Sequence, residues 1–361
     1  MKPQDNDLYP KNRRQTRGVN VANVPIGSDS PISVQSMTKT KTEDWQKTVD
    51  QIQEYEEAGC QIVRSTVNTP EAAKALINIQ KAIHIPLVAD IHFDYRLALQ
   101  ALDAGVDKIR INPGNIGSPD KIAEVVNGCK NFKVPIRIGV NSGSLEKDIL
   151  KKYNYPCSAA MVESAMRHIK ILEELEFYNI IVSLKSSNVW MMIEAYRELA
   201  TRVDYPLHLG VTEAGPLFQG TIRSSVGMGA LLAEGIGDTI RVSLTGNGVD
   251  EVKAGKEILR SLGLASFGVT IISCPTCGRL EADLISAVQK LEAKTSKLKK
   301  NLTLAVMGCV VNGPGEARGA DIGVSLGKDY AILYIEGKSQ GQIPVNSVYT
   351  KVVELIEAWP E

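Results

Sequence analysis

Three cysteines toward the end of the chain carry its strongest chemical signal. Cys274 and Cys277 flank Pro275-Thr276, and Cys309 opens the later run Cys309-Val310-Val311-Asn312-Gly313-Pro314-Gly315-Glu316. A C-x-x-C turn places two sulfurs within reach of one metal centre, and thiolates are soft ligands that select zinc or iron–sulfur clusters. Zinc needs a fourth ligand. The four histidines, His84, His92, His168 and His208, all precede residue 209, and no cysteine follows Cys309. An iron–sulfur cluster tolerates three thiolates better, because one iron can take an oxygen ligand or stay open to substrate. Glu316, behind a Gly-Pro-Gly turn, is the oxygen candidate. These residues favour a cluster over zinc, with a disulfide the weakest reading.

A second set is cationic. Arg64, Arg110, Arg137, Lys185 and Arg241 each fall in or near the C-terminal half of a short β-branched run. A single arginine in a strand ordinarily has a structural partner. Five that converge would need compensating anions, since holding cations together away from water is unfavourable. The carboxylates at the same level are few, chiefly Asp90 and Glu213. The surplus charge points to a polyanionic substrate, and guanidinium forks suit phosphate or diphosphate oxygens. Asp90 and Glu213 are the candidates for proton transfer, Glu213 the better one because it directly precedes a glycine turn. Either could instead pair an arginine, and His92 reads as a loop residue. Neutral hydrogen-bonders accompany them: Gln35, Ser36, Thr38, Asn112, Asn115, Asn141, Ser142, Ser186, Thr212, Ser243 and Asn247. Thr245-Gly246-Asn247-Gly248 reads equally as a phosphate cradle or a plain turn.

These side chains need a scaffold that turns strand ends toward one another. Between residues 32 and 262 one unit repeats: a β-branched run, a polar loop and an amphipathic helix. The predicted strands are Ile32–Thr38, Ile62–Val67, Pro86–His92, Lys108–Pro113, Pro135–Val140, Ile180–Ser186, Leu207–Thr212 and Thr239–Leu244. Helices over Thr42–Ala58 and Tyr95–Ala104 close on Gly59 and Gly105. Ala58-Gly59-Cys60-Gln61-Ile62-Val63-Arg64 is echoed by Ala104-Gly105-Val106-Asp107-Lys108-Ile109-Arg110. Eight such units imply a closed (β/α)8 TIM barrel, whose site lies at the C-terminal strand ends. An open doubly wound sheet is the rival, but no G-x-G-x-x-G follows the first strand. Residues before 30 are expected to close the barrel bottom, and Lys151–Pro156 reads as a surface insertion.

After Leu262 the pattern changes to a small α+β domain. Strands are predicted at Val269–Ser273, Leu302–Met307, Ile322–Leu326 and Ala331–Ile335, with helices over Leu280–Lys294 and Ser347–Trp359. The expected division is a substrate-binding barrel over 1–262, a linker over 263–268 and an iron–sulfur cluster domain over 269–361. The lysines between Lys290 and Lys300 read as a solvated helix end. Cys60, Cys129 and Cys157 read as buried or incidental thiols.

Composition bounds the function class. The 361 residues carry a net charge of zero and only 5% aromatics, which argues against a dedicated nucleic-acid or membrane-surface binder. Arg13, Arg14 and Arg17 lie in a polar opening stretch with no signal-peptide core, and no apolar run is long enough to span a bilayer. Six cysteines without small-domain density fit a reducing compartment, so a cytoplasmic enzyme is expected.

The cysteine motifs resemble those of the 4-hydroxy-3-methylbut-2-enyl diphosphate synthase family of the methylerythritol phosphate route to isoprenoids. The resemblance extends along the chain, through Val34-Gln35-Ser36-Met37-Thr38, Ala89-Asp90-Ile91-His92, Arg110-Ile111-Asn112-Pro113-Gly114-Asn115 and Gly210-Val211-Thr212-Glu213-Ala214-Gly215. The plant-type insertion between barrel and cluster domain is missing, as in the two-domain bacterial form. The resemblance implies a [4Fe–4S] cluster on Cys274, Cys277, Cys309 and Glu316. It also implies reductive opening and dehydration of 2-C-methyl-D-erythritol 2,4-cyclodiphosphate by two electrons from reduced flavodoxin or ferredoxin. In that picture Arg64, Arg110, Arg137 and Lys185 grip the diphosphate near Asn141, and Glu213 protonates the departing hydroxide.

Chain reach adds an expectation about assembly. The last barrel helix runs antiparallel to its strand, so residue 262 should emerge opposite the catalytic mouth. A helix of about fifteen residues spans about 22 Å, and the eight residues Ser261–Gly268 reach at most about 29 Å. The cluster domain is therefore expected to cap a partner's barrel in a head-to-tail homodimer, as the resemblance also implies. The rivals are a non-redox barrel enzyme on a phosphorylated substrate with a structural zinc domain, and a non-enzymatic iron–sulfur sensor or scaffold.

Overall fold

A computed structural model describes residues 13–360 apart from 297, 299 and 310. Its contacts divide the chain into two compact units, one ending at Ala265 and one beginning at Ser266.

The first unit opens with a hairpin of β1 (Val19–Val21) and β2 (Val24–Ile26). Eight parallel strands follow: β3 (Ser33–Met37), β4 (Ile62–Thr66), β5 (Leu87–Asp90), β6 (Lys108–Ile111), β7 (Ile136–Asn141), β8 (Ile180–Lys185), β9 (His208–Leu209) and β10 (Thr239–Ile240). They pair in the order β8-β7-β6-β5-β4-β3-β10-β9, and a Val182–Leu207 bridge joins the two ends. That ring is the expected barrel, and the open-sheet rival falls. Val19, Val21 and Ile26 pack on Ile62, Val88 and Ile181 near the strand starts, so the hairpin plugs the bottom. This burial leaves the opposite strand ends for chemistry.

The helices follow the expected amphipathic logic with small shifts. The first covers Trp45–Glu57 and starts later than expected because Asp44, whose carboxylate accepts the Lys47 N–H, is its cap. Gly59 (φ +90°) and Gly105 (φ +89°) supply the left-handed residues that end their helices. Lys147–Tyr153 is a short helix with Ile149 fully buried, so the expected insertion begins as an anchored element. The largest departure is at β9 and β10, which ladder over two residues each where six were expected. Past them the segments crowd too closely for side chains: a Cβ on Gly210 would meet the Arg241 carbonyl at 2.5 Å.

The second unit holds a mixed sheet of β11 (Val269–Ser273), β12 (Leu302–Met307), β13 (Ile322–Leu326), β14 (Tyr330–Ile335) and β15 (Lys338–Pro344). The first three are parallel and the last two antiparallel. Leu284 and Leu291 from one helix, and Val352 and Ile356 from another, bury against Leu304, Val306, Ile322 and Val324. Three corrections arise here. The strand β15 and a short helix over Gly313–Gly319 were not expected. The helix expected from Leu280 begins at Leu284, where Asp283 caps it, and Leu280 instead belongs to the cysteine loop.

Among the described residues no helix is long and apolar enough to cross a membrane.

Candidate active site

The barrel mouth is built on one level of three neighbouring strands. Asp90, Arg110 and Arg137 are register partners across β5, β6 and β7. All three are nearly inaccessible to solvent. Arg110 Nη1 donates to Asp90 Oδ1 at 3.1 Å, and Arg64 Nε stands 3.8 Å from Asp90 Oδ2. His92 Nε2 lies 3.6 Å from the same oxygen. Burial pushes the Asp90 carboxyl up, but Arg64, Arg110, His92 and Arg137 together hold it at about 2. Asp90 is therefore a fixed anion that anchors cations, which argues against its use as a proton donor near neutral pH.

Of the five predicted cations, two have no carboxylate partner among the described residues. Arg137 is 1% exposed and donates Nη1 to the Ser183 hydroxyl at 2.7 Å, while its Nε and Nη2 find no protein acceptor. Lys185, at the end of β8 and 5% exposed, meets among the described residues only the imidazole of His208, at 3.3 Å. Desolvation, reinforced by neighbouring cations, pulls both well below their ordinary ranges. Two glycines make room for this crowding. A Cβ on Gly139 would sit 2.4 Å from Arg110 Nε, and one on Gly210 would sit 2.9 Å from Lys185 Nζ. Arg64 is lowered to about 10 by burial, against the pull of Asp90 and with Arg241 and Arg110 adding to the fall. It turns Nε and Nη2 toward Met37 Sδ. This arrangement has the chemistry to receive an anion: cations gathered by burial, with donor capacity left over.

A second buried carboxylate completes the mouth, and the sequence reading missed it. Glu251 is 1% exposed on the helix Gly248–Ser261. Its Oε2 accepts from Ser36 Oγ (3.1 Å) and Arg241 Nη2 (3.3 Å), and its Oε1 accepts from the Leu244 N–H (3.0 Å) and Lys39 Nζ (3.1 Å). Glu251 thus fixes Arg241 and the chain leading to Ser243, which is half-buried. Lys39 also donates to the Leu244 and Gly246 carbonyls, so a lysine grips the Thr245–Gly248 loop from its carbonyl side. Lys108, fully buried beneath Arg110 and bonded to Gln35 Oε1 at 3.3 Å, was likewise not singled out.

The remaining candidates are placed as follows. Asn141, last in β7, is the register partner of Lys185. Asn112 spends its carboxamide oxygen on the Gly114 N–H at 3.1 Å and so shapes its own loop. Ser142 and Ser186 bond each other at 3.1 Å. Glu213 is exposed and holds a left-handed backbone (φ +52°), followed by Gly215 at φ +107°. A non-glycine residue there stores strain of about 1–3 kcal/mol, and strain of this kind clusters where a side chain must be aimed.

In the second unit, the cysteines sit beyond the ends of two paired strands, β11 and β12. Cys277 is exposed, Cys274 half-buried and Cys309 buried. The Gly308 N–H points at Cys274 Sγ, 3.4 Å away, and a Cβ on Gly308 would strike Leu280 at 2.3 Å. The missing side chain therefore lets the Cys274–Leu280 loop lie against Gly308, next to Cys309 in sequence. Backbone N–H groups of Asn312, then Val311, lower the Cys309 thiol. Glu316 is exposed on the Gly313–Gly319 helix. Among the described residues no three histidine, cysteine, aspartate or glutamate side chains are drawn together as a bound metal requires. The donor chemistry nevertheless fits a thiolate-held centre, because N–H groups directed at sulfur stabilise thiolate ligands. Cys60 differs: it is buried, donates to the Ile62 carbonyl at 3.1 Å, and burial pushes its thiol up to about 12. Burial also raises Cys129, and Cys157 is half-buried.

Comparison with known proteins covers nearly the whole chain. The GcpE TIM-barrel domain matches residues 16–256, and the GcpE C-terminal domain matches residues 270–358. The chain is 55% identical over 346 residues to a Clostridium perfringens (strain 13 / Type A) protein named 4-hydroxy-3-methylbut-2-en-1-yl diphosphate synthase (flavodoxin), covering 96% of this chain and 99% of that one. A Fusobacterium nucleatum protein of the same name is 56% identical over 343 residues, covering 95% and 97%. One from Symbiobacterium thermophilum is 55% identical over 345 residues, covering 96% and 93%.

Proposed function

Because the chain belongs to the GcpE family of 4-hydroxy-3-methylbut-2-en-1-yl diphosphate synthases, we propose that its barrel mouth grips a diphosphate and its C-terminal cysteines hold a redox centre. The protein is an oxidoreductase of isoprenoid biosynthesis. It converts 2-C-methyl-D-erythritol 2,4-cyclodiphosphate to 4-hydroxy-3-methylbut-2-enyl diphosphate, consuming two electrons as the ring opens and water leaves. The relatives' names specify flavodoxin, which favours flavodoxin over ferredoxin as donor here. A reductive reaction sets aside both the non-redox barrel enzyme and the non-enzymatic sensor.

Arg137 and Lys185 supply the charge that no carboxylate claims, so they take the diphosphate oxygens directly. Arg64 and Arg110 stand beside them on Asp90, with Asn141 level with Lys185. Arg241, held by Glu251, and Ser243 line the same end, and Asn112 shapes the loop after β6. Glu213, exposed on a strained turn, delivers the proton with which hydroxide leaves as water. Cys274, Cys277 and Cys309, with Glu316 as oxygen ligand, would hold a [4Fe–4S] cluster that supplies electrons and a Lewis-acidic iron. The short reach of the linker supports a head-to-tail homodimer in which the second unit serves a partner's mouth. A dilute, verified monomer with full turnover would defeat that assembly. Cytoplasmic residence fits the six unpaired cysteines.

The observation that carries the substrate reading is Arg137, buried with two nitrogens that find no protein acceptor. The test is anaerobic reconstitution with iron and sulfide, then assay on the cyclic diphosphate with reduced flavodoxin. Arg137→Met should lower kcat/KM by about a hundredfold or more, the loss of two charge-assisted hydrogen bonds. A variant with unchanged KM and turnover would remove the mouth as the substrate site.

A further inference from the structure

We propose that His208 is a positioning residue for the anion site: its Nε2 accepts from Lys185 and holds that cation over Gly210 without neutralising it. The inference rests on reading the mouth as a diphosphate site and deepens that reading.

His208 is fully buried on β9, one of the two shortest strands of the ring. Its Nε2 lies 3.3 Å from Lys185 Nζ, and its Nδ1 lies 3.4 Å from Thr239 Oγ1 on the paired strand β10. For Nε2 to accept, Nδ1 must carry the proton, and the Thr239 hydroxyl stands where that proton points. The backbone is tied as well. The Tyr196 hydroxyl donates to the His208 carbonyl and accepts the Leu184 N–H at 2.9 Å, linking β8 to β9 across the seam. Gly210, two residues on and on the same face, leaves the space through which the Lys185 side chain passes.

The choice of acceptor matters for charge. Arg110 rests on Asp90 and Arg241 on Glu251, each beside a full negative charge. A carboxylate at position 208 would consume the charge of Lys185 and repel an incoming polyanion. An imidazole orients the ammonium and adds no charge. Burial, then Lys185, Arg137, Lys108 and Arg64, hold the His208 imidazole well below its ordinary range, so it stays neutral. Position 208 sits inside the apolar run Leu207–Val211, where a histidine reads as part of a core strand.

The test uses full-length reconstituted enzyme and three substitutions, reading KM for the cyclic diphosphate, kcat, and the Kd of inorganic pyrophosphate. His208→Glu should weaken both binding constants by about a hundredfold with kcat at saturation changed only a few-fold, as expected from like charge set against the ligand. His208→Gln, a neutral acceptor, should stay within about tenfold of the parent, roughly one neutral hydrogen bond. Equal losses in the two variants, or none in His208→Glu, would overturn the proposal. Lys185→Met separates the two levels: wild-type binding in that variant would defeat the diphosphate reading itself. Lys185→Met impaired while His208→Glu is intact would defeat only the role of His208. Should His208→Glu fail to fold, Thr239→Val removes the partner of Nδ1. It should raise KM several-fold at constant kcat, and an unchanged KM would count against the proposal.

Discussion

The two units solve the problem of assembling reactive groups in opposite ways. In the barrel, Arg64, Asp90, Arg110, Arg137 and Lys185 are all buried, fixed by one another, by paired strands and by glycines that yield them space. In the second unit only Cys309 of the three cysteines is buried, and Cys277 and Glu316 face solvent. On the proposed assignments the difference follows from the ligands. A diphosphate is met by a receptor whose charges are costly to gather, so the fold must gather them in advance. Thiolates bind metal strongly enough for the metal to draw its own ligands together. On those assignments the barrel site is a property of folding, and the cysteine site a property of loading.

The largest effect should come from separating these two dependencies. Cys277→Ala should abolish reductive turnover and the cluster absorbance of the reconstituted protein. Because Cys277 is exposed, the unfolding free energy of the unloaded protein should move by only about 0.5 kcal/mol or less. Spectroscopy, assay and urea unfolding on the same preparation check this, and a large stability loss without metal would break the contrast.

The barrel should answer in the opposite sense. Asp90→Asn leaves Arg110 and Arg64 without their shared counter-charge, which should destabilise the first unit by about 3–5 kcal/mol. The pH dependence has a definite sign. The folded carboxyl titrates at about 2, below its ordinary 3.8. Its stabilising contribution is therefore complete above the ordinary value and is lost as pH falls through about 2. Asp90→Asn should flatten the stability curve across that window, as measured by urea midpoints between pH 4 and 2. An unchanged slope would show that another group drives the acid loss.

How far the sequence could be read follows the same division. The cations were legible because each lies in or directly after a short β-branched run, Lys185 ending β8, Arg241 following β10 and the other three inside their strands. Glu251 was not, because its role exists only once the helix Gly248–Ser261 packs back across β3 and β10. Lys108 and His208 were hidden by surroundings that read as core strand. The cysteine spacing suggested a metal but carried no geometry, since a loop such as Cys274–Leu280 has no period to extrapolate. The strand β15 was missed for a related reason. Lys338-Ser339-Gln340-Gly341-Gln342 is polar on both faces, and an exposed edge strand has no apolar alternation to show.

That edge offers the smallest and most local test of the second unit. β14 and β15 are joined by Glu336-Gly337, with Ile335 opposite Lys338 and both turn residues at positive φ, +47° and +78°. Two positive values in a two-residue loop define a type I′ turn, which favours Asn-Gly because asparagine tolerates the left-handed region. Glu336 is exposed, and its N–H donates to the Asp321 carbonyl at 2.8 Å, a bond that any residue except proline keeps. Glu336→Asn should therefore stabilise the hairpin by about 0.5–1 kcal/mol through backbone preference alone. Hydrogen exchange should slow at the β14 and β15 amides and stay unchanged in the barrel. If protection fell, the Glu336 side chain would be contributing more than its conformation costs, and β15 would owe its register to something other than the turn.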